Sequence, residues 1–259
     1  MINILINKDK FSRFLLVLFL SISPSTSAIQ SDLLQESKIS FLTMDQMPYG
    51  YTSNIGESTG VLYDILSEIV LLADINSENV ITPSKRIYSL INSNKKICML
   101  AADTPLIIDK LDSIEPINYF LQAGVLPKAG IVLSDYSSLK DITIAVPRGI
   151  NVDDKFHDDK DLIKVFPSQY LNAIKMLKIN RVDAVVGAIS TLKFIAKLEG
   201  MKGKELGEPL IFSQYNVHLF CSNNISKKMR NKLKQAVITL KGKGKITEIL
   251  NNYFNIDSR

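Results

Sequence analysis

Several short clusters in this chain collect side chains able to grip a small molecule. Arg86 follows Ser84, the predicted N-cap of a helix, where a guanidinium can hold an anion beside the free N–H groups of the first turn. Asp103 and Thr104 end an apolar run immediately before Pro105, in position either to meet a ligand or to cap a turn. Arg148, Gly149 and Asn151 form a turn after another apolar run. Gly149 there permits close backbone approach, and Asn151 can donate to a ligand or cap the next segment. Ser190, with Thr191 beside it, offers neutral hydroxyls at the end of a third run. Tyr49 and Tyr51 sit in a loop rich in Gly, Ser, Asn and Pro, each with an apolar face and a hydroxyl. These groups suit recognition better than catalysis. The plain alternatives are a solvated helix face for Arg86 and loop packing for the tyrosines.

Catalytic arrangements are hard to find. A lyase needs a poised acid or base, for which Asp103 and Asp109 are the evident candidates. His157 lies in a charged run, DDKFHDDKD (153–161), that reads as solvated. The sequence shows no Ser-His-Asp or Cys-His order. KGKGK (241–245) lacks the strand and the Gly-Lys-Ser/Thr ending of a phosphate loop and reads as a helix break. Cys98, Cys221, His157 and His218 are too scattered for a metal site, so no metal and no cofactor are expected. Cys98 and Cys221 stand in strand-like apolar runs. They read equally as a disulfide or as two buried free thiols.

The elements that must position these residues alternate. Strands are expected at 38–44, 78–84, 97–103, 141–149 and 181–190. Helices are expected at 60–74, with Leu62, Ile65, Ile69 and Leu72 on one stripe, and at 85–96, 168–180 and 191–200, the last closed by Gly200. Long extended runs at 117–127 and 209–222 follow each block, and a basic helix over 226–254 is divided at Gly242 and Gly244. This order predicts an α/β protein with mainly parallel sheet. Two similar blocks joined by two crossings place a ligand cleft between lobes, outside the strand ends. The boundaries read as 29–120 plus 213–259 for lobe 1 and 121–212 for lobe 2.

Composition agrees with a globular chain: of 259 residues, 46% are hydrophobic and 22% charged. Lys8, Lys10 and Arg13 precede an apolar run, Phe14–Ile22, too short to span a bilayer. Ser23–Ala28 then places Thr26 and Ala28 at the −3 and −1 positions of a cleavage site, so 1–28 reads as a secretory signal peptide and the mature chain as exported. Without that segment, which holds three basic residues and Asp9, the formal charge falls from +5 to +3, too mild for a nucleic-acid binder. A monomer is expected.

Six segments in order resemble the extracytoplasmic solute-binding proteins of amino-acid-type ABC transporters, family 3. They are MPYGY…GVLYDILSEIV, SKRIYSLINSNKKICML, TPLIIDKLDSIEPI, ITIAVPRGIN, NRVDAVVGAIS and GKGKITEILNNYF. The resemblance implies the two-lobed type II periplasmic-binding-protein fold, with Tyr49 and Tyr51 as an aromatic wall. It also exposes two departures. The family's carboxylate-clamping Arg, three residues after the Thr, falls on Ile107. Its ammonium-binding Asp, five after the Asp of the Asp-Ala-Val strand, falls on Ala188. No Arg occurs anywhere in 87–147.

The expected function is therefore a periplasmic protein that closes on a small polar solute other than an ordinary α-amino acid, for a membrane permease or a sensor. The alternatives are a lyase-like enzyme on the same fold and a pseudo-receptor acting through protein contacts.

Overall fold

The computed structural model describes residues 39–150 and 152–254. The signal segment, its cut at Ala28 and Asn151 lie outside the described residues. In chain order, β1 (Ser40–Met44) leads into a loop carrying a small hairpin, β2 (Tyr51–Thr52) with β3 (Ser58–Thr59), and then helix α1 (Val61–Leu72). Next come β4 (Asn79–Thr82), α2 (Ser84–Ile91), β5 (Ile97–Ala102), α3 (Pro105–Ile108) and the long β6 (Asp112–Pro127). The following stretch supplies β7 (Thr143–Ala145), α4 (Asp154–Asp158), β8 (Ile163–Val165), α5 (Tyr170–Lys178), β9 (Ala184–Ala188) and α6 (Ile189–Leu198). The chain returns through β10 (Leu210–Cys221) to α7 (Lys227–Gly242) and α8 (Lys245–Phe254).

The strands join in the order β4-β1-β5-β10-β6-β9-β7-β8. β4, β1 and β5 are parallel to one another, as are β9, β7 and β8. Between these triplets runs an antiparallel ribbon of β6 and β10, paired from Asp112↔Cys221 to Val125↔Leu210. β5 pairs with one end of that ribbon, Val217–Cys221, and β9 with the other, Ala123–Pro127. In the middle, Phe120–Gln122 and Gln214–Asn216 pair only with each other. Each triplet therefore carries its own helices, and the ribbon alone crosses between them. This is a two-lobed α/β architecture.

Each lobe buries apolar side chains on both faces of its sheet. In the first, α1 and α7 cover Phe41, Cys98, Leu100 and Leu219, while Ile87 and Ile107 cover Met99 and Phe220 on the opposite face. In the second, Ile174 and Leu192 cover Val185, and Phe156 and Leu139 cover Val186. Alternate residues of one strand serve opposite faces, which is why these strands read as unbroken apolar runs.

Local sequence explains most element ends. α1 buries Leu62, Ile65, Leu66 and Ile69, yet Leu72 at its last position is exposed, so the stripe stops one turn short of the sequence expectation. Gly200 ends α6 as foreseen: its φ is 78°, its N–H donates to Lys197 and that of Met201 to Ala196, closing the orphan carbonyls in a Schellman pattern. Ser84 is not the N-cap of α2. Pro83 holds that position in extended geometry, its φ locked by the ring, and Ser84 is the first helical residue. α3, α4 and β8 were not foreseen. α4 forms inside the run read as solvated because Asp153 Oδ1 accepts from the Phe156 N–H at 2.8 Å and Phe156 buries its ring.

Cys98 and Cys221 occupy directly paired positions on β5 and β10, with Sγ atoms 2.08 Å apart. Of the two readings of this pair, the structure takes the disulfide.

Candidate functional site

The loop after β1 is fixed by main-chain bonding before any ligand is considered. α1 has no side-chain cap; instead the carbonyl of Pro48 accepts from Val61, and that of Tyr49 from Leu62 and Tyr63, at 2.9–3.0 Å. The helix thus satisfies its first donors with the loop that presents Tyr49. From the C-terminal helix, the Tyr253 hydroxyl donates to Asp64 Oδ2 at 2.6 Å and accepts from the Gly60 N–H at 3.0 Å. Burial and the neighbouring Asp64 carboxylate push the Tyr253 hydroxyl up to about 12, so it stays a donor.

Behind that loop lies a cavity of about 230 Å³. Its lobe 1 walls come from β1 (Met44), the loop (Gln46, Tyr49), α1 (Leu62), α2 (Ile87, Tyr88), β5 (Met99 to Ala102) and the α3 segment (Thr104, Ile107). Leu121 enters from the middle of the ribbon and Ala188 from the end of β9 in the second lobe. No described residue in this lining carries a charge. Tyr49 is buried, which pushes its hydroxyl well above the ordinary phenol range. Its contact with Thr191 Oγ1, a donor at 3.4 Å, only partly offsets this.

The lobes touch beside the cavity. Tyr119 donates to Ser190 Oγ at 2.9 Å, Thr191 Oγ1 reaches the Met47 carbonyl at 3.5 Å, and the rings of Tyr51 and Phe194 lie 6.3 Å apart. Burial pushes the Tyr119 hydroxyl up to about 12, keeping the donor protonated at any ordinary pH. Tyr170 stands under the end of β9. Its hydroxyl accepts from the Ala188 N–H at 3.5 Å, and its ring fills the space where a Cβ on Gly187 would sit. That ring sets the height at which Ala188 meets the cavity.

The candidates from the sequence divide accordingly. Tyr49 and Thr104 line the cavity, and Ser190 and Tyr51 contact the opposite lobe at its edge. Arg86, Arg148 and Gly149 are exposed and outside the lining. Asp103 is outside the lining: its N–H donates to the Asn216 carbonyl at 2.9 Å, and its Oδ2 accepts from Asn216 Nδ2 at 3.2 Å. This cavity is mainly apolar, because Met44, Tyr88, Met99 and Leu121 converge from four elements that one-dimensional spacing does not connect. Only the apolar run of β5 carried a signal for them.

Asp103 belongs to a second cluster that the sequence did not reveal. Ser113 Oγ lies 2.7 Å from His218 Nδ1, and His218 Nε2 lies 3.9 Å from Asp103 Oδ2. The order of residue types is that of a hydrolase triad, but the His–Asp gap exceeds a hydrogen bond and none of the three lines the cavity. Among the described residues no three His, Cys, Asp or Glu side chains cluster as a metal site, and no helix is long and apolar enough to cross a membrane.

Two parallel triplets hung on an antiparallel ribbon, with a cavity between them, define the fold of the two-lobed periplasmic binding proteins. Within that class, the chain is similar to proteins described as amino-acid-binding. It is 24% identical over 221 residues to a probable amino-acid-binding protein, YxeM, of Bacillus subtilis, with 83% of each chain covered. The second substrate-binding domain of Lactococcus lactis GlnP, in an open conformation, superposes with a TM-score of 0.66 at 14% identity, covering 86% of this chain and 98% of that one. A histidine kinase sensor domain similar to periplasmic binding proteins superposes at 0.63 and 11% identity, covering 85% of this chain and 97% of that one. No protein-family model matches the chain.

Proposed function

We propose that this chain is an exported solute-binding protein that closes its lobes on one small molecule and presents the closed form to a membrane permease or a sensor. The observation that carries this reading is the cavity walled by both lobes, with Tyr119 and Ser190 hydrogen-bonded across its edge. The names of the relatives, which include an amino-acid-binding protein and a sensor domain, support it. We take the lobes as 29–120 plus 213–259 and 121–212, since the first division falls in the ribbon segment free of other partners and the second lies just before it. The periplasm is the expected location, as the solute and the membrane partner both require.

The ligand is not an ordinary α-amino acid on this reading. Ile107 and Ala188, at the positions expected for the carboxylate and ammonium clamps, both line the cavity and offer neither charge nor hydrogen bond. An unpaired carboxylate or ammonium buried there costs several kcal/mol.

A thermal-shift panel of amino acids, polyamines, organic acids, nucleosides and neutral aromatics tests the function. A true ligand at a hundred times its Kd adds about 2.7 kcal/mol, a rise of about 5–10 °C for a chain of this size. Small-angle scattering of the same samples should show a compaction with the hit alone. A panel without any shift or compaction would overturn the solute-binding reading.

A further inference from the structure

The composition of the cavity wall says more than what the ligand is not. Its polar groups, Gln46, Tyr49, Tyr88 and Thr104, are all neutral, and the rest of the lining is aliphatic or methionine. Met44 and Met99 supply polarisable sulfur, which packs well against the edges of aromatic rings. Tyr49 is held buried, with one long hydrogen bond from Thr191 among the described residues, so its hydroxyl retains capacity for a partner inside the cavity. The volume also sets a size. An apolar cavity of about 150 Å³ accommodates benzene, so about 230 Å³ leaves room for a slightly larger ring system bearing one polar atom.

From this lining we infer that the ligand is a compact, uncharged aromatic molecule with a single hydrogen-bonding group, of the indole or phenol class. The inference rests on the reading of the cavity as the solute site. The apolar ring fills the space bounded by Ile87, Met99, Ile107 and Ala188. The polar atom meets Tyr49 or Thr104. The zwitterion of an amino acid of equal size is disfavoured because its charges would meet no countercharge in the wall.

Titration calorimetry on the purified protein with indole, p-cresol and L-leucine tests this directly. Indole and L-leucine have similar size, so a difference between them does not come from size. Indole or p-cresol should bind at least a hundredfold more tightly than L-leucine, about 2.7 kcal/mol. Ala188→Leu, which fills the cavity from lobe 2, should weaken indole binding at least tenfold with little change in the melting temperature of the free protein. A variant that melts much lower is replaced by Thr104→Val, which should weaken p-cresol more than it weakens toluene. Tighter binding of L-leucine than of indole would overturn the inference and leave the solute-binding reading standing. So would a failure of all neutral probes alongside a hit elsewhere in the metabolite panel. Failure of every probe together with an unresponsive panel would overturn both. Indole binding unaffected by Ala188→Leu and Thr104→Val would place the ligand elsewhere and also refute the inference.

Discussion

Reducing the Cys98–Cys221 bond should destabilise this protein about as much as a large core truncation. The two residues are separated by 123 positions, both are fully buried, and they face each other across β5 and β10. In the chain-entropy treatment, a closed loop of that length constrains the unfolded chain by roughly 5 kcal/mol at room temperature. Residual contacts in the unfolded ensemble lower the realised value, so about 3–5 kcal/mol is expected. Because the bond is buried, reductant alone will not reach it. The protein should be unfolded in urea with reductant and refolded under the same conditions, with free thiols counted to confirm reduction. Urea melts of the oxidised and reduced forms then compare directly, and the melting temperature should fall by about 6–20 °C. A reduced form within about 1 kcal/mol of the oxidised one would refute the reasoning. It would mean that Phe41, Leu100, Leu219 and their helices hold β5 against β10 unaided. Since such a bond persists only in an oxidising compartment, a large effect would also support export.

Three further outcomes follow from particular contacts. Gly124→Ala should cost about 3 kcal/mol or prevent folding, because its Cβ would lie 2.0 Å from the Leu210 carbonyl oxygen where β6 and β10 pair; thermal melts check this, and an unchanged melting temperature would contradict it. Tyr119→Phe removes the hydroxyl that bridges to Ser190, a loss of about 1 kcal/mol felt mainly in the closed form. Affinity for a hit should weaken about fivefold by calorimetry, and an equal drop in the stability of the free protein would assign the bond to folding instead. Asp183 has its pKa lowered by the Thr143 N–H, 2.9 Å from Oδ2, and by Lys128, 2.9 Å from Oδ1. A lowered acid contributes stability above its unfolded pKa, near 3.9, and loses it as pH falls through the lower folded value. Asp183→Asn should therefore flatten the acid limb of a melting-temperature profile below about pH 4 while leaving its shape between pH 6 and 8 unchanged.

How far the sequence reached depended on range. β5 and β9 were legible because every residue in them is apolar, and α7 and α8 because Gly242 and Gly244 interrupt a long amphipathic pattern. α4 was not, because its one apolar anchor, Phe156, sits among five acids and two lysines whose pattern says solvent; the deciding contact is with Phe212, some fifty residues away, at 5.5 Å between ring centroids. The same limit separates Tyr49 from Arg86. Both are aromatic or basic groups near a helix start, but Tyr49 is pinned inward by carbonyls that cap α1, whereas α2 begins after Pro83 with Arg86 on its outer face.

The site shows this limit most clearly. Counting from Thr104 and Asp183 reached Ile107 and Ala188, and both stand in the cavity wall, because a position at the end of a strand is fixed by local geometry once the strand is recognised. Counting could not reach the character of the whole wall. That depends on Met44, Tyr88, Met99 and Leu121 arriving together from β1, α2, β5 and β6, and the convergence exists only once the sheet is assembled in the order β4-β1-β5-β10-β6. Missing charges at two positions are compatible with a polar ligand held by other charged groups. A wall with no charge among its described residues is a poorer fit to one, since an ion against it would gain no partner. The proposal of a neutral ligand therefore rests on the three-dimensional arrangement and not on the two counted positions.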